Sequence, residues 1–244
     1  MAKQPHLLVG PDEVNDVALL PGDPDRVMRI ADHCDDYEVI AENREYRVVN
    51  ARYDGVPLTI CSTGIGSPSA AIAVEELADV GVERFLRVGT TGALQPGIDV
   101  GEFVIATGAG KDEGTTKRYE SATLPAVPDH RTLAALVAAT ETTNVAYHVG
   151  PIVTDDAFYA ETEEYVTAWS DAGILAVEME AAAIFTLARR HGCGAGAICT
   201  VDGNLVAGEQ KGETDDEELP AGARDAIDDA IDIALDAAAS LHGE

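Results

Sequence analysis

Short apolar runs alternate with stretches of helical periodicity along most of the chain. Strand-like runs fall at 17–20, 45–53, 56–62, 84–88, 102–106, 147–154, 174–177 and 195–201, and helix-like segments at 24–34, 67–80, 161–172, 178–190 and 221–241. That order predicts an α/β fold: a mixed, largely parallel sheet covered by helices on both faces, in three α/β/α layers. Residues 107–146 carry the least regular pattern, and neither a repeat nor a linker divides the chain. With 244 residues, 46% of them hydrophobic, the chain has the size of one α/β domain with one good core, so a single domain is expected over 1–244.

Two places in this pattern carry chemistry. At Phe85-Leu86-Arg87-Val88 an apolar strand leads an arginine into Gly89-Thr90-Thr91-Gly92, which reads as a phosphate-sized loop. A guanidinium at the end of a central strand is costly to bury unless it meets an anion, and loop N–H groups and threonine hydroxyls are the neutral donors an oxyanion wants. The plainer alternative is an internal pair with an Asp or Glu. At Val17 to Leu20 a second strand runs into Pro21-Gly22-Asp23-Pro24-Asp25-Arg26, where Asp23 reads as a helix cap with proline at the first helical position. Gly22 and the helix start form an anion nest that Arg26 can fold over. Alone this loop is an ordinary cap. Together, the two arginine loops are better explained by one shared phosphate.

Charge sharpens this reading. Forty-four Asp and Glu against sixteen Lys and Arg give a formal net charge of −28, a field that repels nucleic acid and anionic membranes. Only Lys3, Lys111, Lys117 and Lys211 are lysines, and an acidic, lysine-poor surface suits concentrated salt, where repulsion is screened. Cations are scarce, yet they occur at the motif positions. Cys34, Cys61, Cys193 and Cys199 lack metal-site spacing and read as idle thiols. No run approaches transmembrane length and the first residues contain no apolar leader core, so a cytoplasmic protein is expected.

GDPDRV at 22–27, Arg44-Glu45-Tyr46, CSTGIG at 61–66 with Pro68-Ser69, AVEEL at 73–77 and FLRVGTTGALQP at 85–96 resemble the uridine phosphorylase branch of the hexameric nucleoside phosphorylase family. The likeness continues through Asp156-Ala157-Phe158-Tyr159 and Val177-Glu178-Met179-Glu180-Ala181-Ala182, and so covers almost the whole chain. It implies the family's fold and phosphate-dependent cleavage of a nucleoside into free base and ribose 1-phosphate. Phosphate is then the co-substrate, held by Gly22, Arg26, Arg87 and Thr90, with Arg44 supplied by a neighbouring subunit. Ribose falls to Glu180, Met179, Thr90 and a neighbour's His6, for which a frayed-terminus histidine is the alternative. The base falls to Phe158, Thr91, Gly92, Glu178 and Asp202. Arg87, Glu180 and Asp202 are the expected catalytic residues. The resemblance further implies a homohexamer built as a trimer of dimers, no organic cofactor, and a potassium ion between paired subunits at Glu45, the Ile65 carbonyl and Ser69. For Glu45 an ion pair with an arginine is the alternative.

The base divides the resemblance. Uridine phosphorylases have a Gln and an Arg after the phenylalanine to read uracil, and Thr162 and Glu164 stand at those positions here. The stretch from Val177 to Glu180 and on through Ile198-Cys199-Thr200-Val201-Asp202-Gly203-Asn204 looks more like the purine branch, although the purine-protonating Asp aligns with Gly203 and the carboxylate is one residue earlier. A buried Asp202 with a raised pKa would serve as general acid for a purine, or take the N1–H and N2–H₂ of guanine, or merely cap a turn. Uridine is the first expectation, from the longer match, with guanosine or inosine close behind. A hydrolytic nucleosidase would need no phosphate-facing arginines, and a non-catalytic nucleoside-binding module would not need both anion loops and an acidic ribose clamp.

Overall fold

A computed structural model of the chain describes residues 3–208 and 221–242. In chain order its elements are β1 (Val17–Leu20), α1 (Pro24–Ala31), β2 (Asp36–Asn43), β3 (Tyr46–Tyr53), β4 (Val56–Cys61), α2 (Ser67–Val80) and β5 (Arg84–Ala93), then β6 (Phe103–Asp112), α3 (Thr116–Tyr119), α4 (His130–Thr140), β7 (Tyr147–Asp155), a 3₁₀ turn (Phe158–Ala160), α5 (Glu163–Asp171), β8 (Ala176–Glu178), α6 (Ala181–His191), β9 (Gly194–Asn204) and α7 (Ala221–Leu241). The strands form one nine-stranded sheet in the order β2-β3-β4-β1-β5-β8-β7-β6-β9, and β9 pairs back onto β5. The last five strands therefore close into a ring beside an open, twisted half.

The sheet is mixed, as the pattern predicts. Pairings β1–β4, β1–β5, β5–β9, β6–β7 and β7–β8 are parallel, and β2–β3, β3–β4, β5–β8 and β6–β9 antiparallel. Strand alternation divides the core between the two faces. Ala18, Leu20 and Phe85 join residues of α2 and α6 in one cluster, while Val17, Leu19, Leu86 and Val88 join α1, α4 and α7 in the other. Arg87 follows the same alternation and lies on the Phe85 side, toward α2 and α6. On the opposite face α7 is also stitched by polar contacts: Arg29 Nε to Asp228 at 2.7 Å and Tyr53 Oη to Asp236 at 2.8 Å.

The structure differs from the sequence expectation in three places. Gly89 to Gly92 do not form a loop; they continue β5, because β9 runs alongside in parallel register from Arg84↔Gly194 to Ala93↔Asn204. Strand β2 was not expected, since it is an edge strand with little burial and so lacks a hydrophobic stripe. The irregular 107–146 stretch contains the end of β6 together with α3 and α4. Helix α4 buries only Thr132, Leu136 and Thr140, one residue per turn with two threonines, which is too polar a stripe to read.

The two clusters make a direct stability prediction. Ile231 is fully buried on α7. Ile231→Ala is expected to cost about 2–5 kcal/mol, read as a lower denaturant midpoint at unchanged slope.

Candidate active site

A cleft of about 710 Å³ opens where β1, β5, β8 and β9 end, lined by the two loops picked out from the sequence and by Met179, Glu180 and Asp202. A second cavity of about 640 Å³ lies at the opposite ends of β5 and β9, lined by Arg84, Asp129 and His191 among others. The candidate chemistry converges on the first.

Arg87 is the centre of this cleft. It is 4% exposed, with Nε 2.8 Å from Glu178 Oε2 and Nη2 2.5 Å from Glu180 Oε2. Burial opposes the charge, but Glu180 and Glu178 outweigh it and raise the pKa, so the guanidinium is permanently charged. Its Nη1 has no hydrogen-bond partner among the described residues. The guanidinium lies over Gly89, where a Cβ would come within 2.8 Å of Arg87 Cζ. The internal carboxylate pair raised as an alternative is thus present, and it coexists with a buried, unpartnered Nη1 on a side chain that lines the cleft.

Each carboxylate is itself held. Glu178 accepts from the backbone N–H of Glu180 at 2.9 Å, from that of Ala181 at 2.9 and 3.0 Å, and from Thr154 Oγ1 at 2.5 Å. It therefore caps the start of α6, where N–H groups have no helical partner. Expected to touch the base, Glu178 borders the cleft but spends its carboxylate on Arg87 and on this cap. Glu180 accepts from Gly66 N–H at 2.5 Å, at the start of α2, and Ser67 Oγ donates to the Met179 carbonyl at 3.1 Å. Thr154 and Gly66, which sequence reading missed, complete this arrangement. Neither carries a local signal, since a strand threonine and a loop glycine acquire these roles only through packing.

The glycine loop sits beside it. Asp23 caps α1, accepting from Asp25 N–H at 2.8 Å. Thr63 and Gly64 N–H donate to the carbonyls of Pro21 and Gly22, both at 2.9 Å, and so zip this loop to the CSTGIG segment. Gly22, Arg26 and half-buried Thr90 line the cleft with Arg87.

Asp202 enters by a backbone irregularity. Thr91 pairs with Val201 and Gly92 with Gly203, so Asp202 is the extra residue of a bulge in β9. Bulges re-aim side chains, and this one brings Asp202, 8% exposed, to the cleft wall. Phe158, 37% exposed, and Tyr159 pack edge to face at 5.1 Å on the opposite lip. Thr91 lines the cleft but donates its hydroxyl to the Val177 carbonyl at 2.7 Å. Gly92 does not line it; paired with Val177 and Gly203, it lies buried in the sheet, which corrects its expected place at the base. Thr162 caps α5, accepting from Tyr165 N–H at 3.2 Å, and Glu164 follows in that helix's exposed first turn. Neither borders the cleft.

His6 and Arg44 lie outside their own chain's cleft. His6 is not frayed: its Nδ1 is 2.5 Å from buried Glu76, and its carbonyl accepts from Asn43 Nδ2 at 2.7 Å. Arg44 is exposed at the two-residue hairpin tip between Asn43 and Tyr46, with a left-handed φ of 57°. Beside it, Glu45 is held below the usual carboxylate range by its own backbone N–H and then by the Ser69 hydroxyl and the Arg44 charge. Ser69 Oγ lies 3.1 Å from Glu45 Oε1 and 2.5 Å from the Thr63 carbonyl, and Ile65 is 80% exposed next to them. Burial raises the thiols, Cys34 and Cys199 to about 12, and all four are free, as expected of idle cysteines.

The model of the Phosphorylase superfamily matches residues 16–239. The chain belongs to this superfamily. It is a nucleoside phosphorylase, a pentosyltransferase. It is 64% identical to the guanosine phosphorylase of Halorubrum lacusprofundi over 99% of this chain and all of that one. It is 42% identical to the uridine phosphorylase of Thermococcus kodakarensis over 84% of this chain and 79% of that one. The purine nucleoside phosphorylase of Toxoplasma gondii, solved with immucillin-H, superposes with a TM-score of 0.91 at 29% identity, covering 99% of this chain and 97% of that one. Among the described residues no helix of this phosphorylase is long and apolar enough to cross a membrane.

Arg87→Ala in this phosphorylase would strand two buried carboxylates and confound folding with function. Gly89→Ala displaces the guanidinium while leaving its charge in place. It is expected to weaken inorganic phosphate binding by at least about tenfold, about 1.4 kcal/mol, in calorimetry, with an unchanged far-ultraviolet spectrum. Full phosphate affinity in folded Gly89→Ala protein would show that Arg87 does not hold the anion.

Proposed function

We propose that this phosphorylase cleaves guanosine: inorganic phosphate attacks C1′, the glycosidic bond breaks, and ribose 1-phosphate and guanine leave. The bulge-borne Asp202 carries this reading. A purine departs most easily with a proton at N7, which Asp202 as a protonated general acid would supply; ionised and at the other edge of guanine, it would instead accept N1–H and N2–H₂ together. Departing uracil instead spreads negative charge over O2 and O4 and gains from a cation. The arginines lining the cleft, Arg26 and Arg87, flank the phosphate loops, and Glu164 brings the opposite sign outside it. The 64% identity to a guanosine phosphorylase supports the same base. Uridine is the second reading, favoured by the amino-terminal motifs and by the uridine phosphorylase of T. kodakarensis.

In this reading Gly22, Arg26, Arg87 and Thr90 hold phosphate below the sugar, and bidentate guanidinium contacts suit the dianion. Glu180 takes the ribose hydroxyls, Met179 packs on the sugar, and Phe158 stacks on the base. Their negative and aromatic surfaces favour a sugar with oxocarbenium character, so catalysis is chiefly positioning and electrostatics. Two cleft arginines have no part in hydrolysis by water, which argues against a nucleosidase.

The site is completed by a second subunit. His6 and Arg44 are ordered but away from their own cleft, and Ile65 leaves an apolar side chain exposed beside the hairpin tip. A homohexamer of three such dimers, with the phosphorylase domain taking up 1–244, follows the resemblance. Glu45 and Ser69 fit a monovalent cation there: one hydroxyl hydrogen cannot serve both the Glu45 carboxylate and the Thr63 carbonyl, leaving oxygens turned toward each other. Potassium would hold the two subunits together at that point. The acidic surface supports work in concentrated salt, in the cytoplasm.

A panel of uridine, thymidine, inosine, guanosine and adenosine, assayed for phosphate-dependent base release at high potassium chloride, tests the base. Guanosine should lead. Asp202→Asn should lower its kcat/KM by about a hundredfold, the usual worth of a general acid, and affect uridine far less. A wild-type enzyme that cleaves only pyrimidine nucleosides, with a rate untouched by Asp202→Asn, would replace guanosine with uridine. For assembly, Arg44→Ala and Gly89→Ala proteins mixed by dissociation and reassociation should regain activity through sites built from two intact halves. Verified mixed oligomers that stay inactive would rule out sharing.

A further inference from the structure

We propose that Arg87 and Glu180 form an exchangeable ion pair, in which phosphate takes the arginine from the carboxylate and the released carboxylate takes the ribose. The proposal rests on the phosphorolysis reading of the cleft. Its starting point is that the two groups assigned to different substrates grip each other, Nη2 to Oε2 at 2.5 Å. The other Glu180 oxygen is occupied by Gly66 N–H, and its side chain is 6% exposed, so ribose hydroxyls have little access while the pair is closed.

Arg87 can release Glu180 without losing its place. Nε stays against Glu178, whose carboxylate is fixed by Thr154 and the start of α6. Nη1 is buried, has no hydrogen-bond partner among the described residues, and belongs to a side chain that lines the cleft. When the guanidinium turns about the held Nε, Nη2 leaves Glu180 and Nη1 and Nη2 can meet a phosphate together, giving the bidentate geometry that guanidinium offers. Glu178 is thus a positioning residue, the pivot on which the guanidinium turns. Because one exchange links both sites, phosphate and nucleoside must strengthen each other's binding by the same factor.

The decisive measurement is phosphate affinity without nucleoside, by calorimetry, in wild type and E180Q. Removing the competing carboxylate should tighten phosphate by about tenfold, within the usual range of site–site coupling, although Glu180 is itself part of the ribose site. The gain must persist at about 1 M potassium chloride, where screening shrinks the Debye length to about 3 Å and leaves only direct contacts. A second measurement uses the unmodified protein: phosphate should raise the affinity of an uncleavable C-nucleoside by the same factor, and leave its 2′,3′-dideoxy form unaffected. Equal phosphate affinity in wild type and E180Q, a gain that vanishes at high salt, or C-nucleoside binding indifferent to phosphate would each overturn the exchange. If wild type binds no phosphate at all, the phosphorolysis reading itself fails and the exchange falls with it.

Discussion

The structure depends on burying one guanidinium beside two carboxylates. Taking a charge out of water costs several kcal/mol, and opposite charges offset this only when the remaining lone pairs and protons also find partners. Around the two carboxylates they do, through secondary structure rather than through further side-chain ions, while Arg87 Nη1 is left without a hydrogen-bond partner among the described residues. Glu178 is answered by the first N–H groups of α6, and Glu180 by Gly66 N–H where α2 begins. The helix starts on one face of the sheet are therefore tied to the middle of β5. The alternation that sends Phe85 into the apolar cluster beneath α2 and α6 also sends Arg87 toward those helix starts. Core packing and site geometry share one constraint.

Much of this was legible because alternation and caps are local. Apolar runs marked β1, β4 and β5, and Asp23-Pro24 marked the start of α1, where the structure has its cap. What failed locally had a tertiary cause. Edge strand β2 needs only β3 for its hydrogen bonds and buries little, so no pattern betrays it. The Gly-Thr-Thr-Gly stretch looks like a loop until β9 is available to pair with it.

The site divides in the same way. Arg87 and Glu180 were readable as charges that share one crevice, although β5 runs on past Arg87 to Ala93 rather than ending there. The work of Glu178 was misjudged because a carboxylate at the start of a helix and one facing ligand look alike until their partners are known. Asp202 was readable as the carboxylate nearest the expected place, but its access comes from the bulge, which shifts the β5–β9 register by one between Thr91 and Gly92. His6 and Arg44 had no signal beyond the resemblance. In the structure each is ordered by something unreadable at short range, the buried Glu76 carboxylate in one case and a tight hairpin in the other.

A net charge of −28 sets a harder problem for this cleft than for a neutral relative, since its co-substrate is a dianion. At low ionic strength the whole field opposes phosphate entry, and salt removes only the long-range part. In the proposed exchange, Glu178 and Glu180 compete with phosphate for Arg87 within a few ångströms. The same two groups keep the guanidinium charged and oriented while it is buried. A site that simply lacked them would attract an anion more strongly, yet it would leave an uncompensated buried cation. In the exchange proposed above, an arginine shared between a fixed carboxylate and a releasable one would meet both demands: Glu178 maintains the geometry, while Glu180 would yield to the stronger dianion and then be available to the sugar.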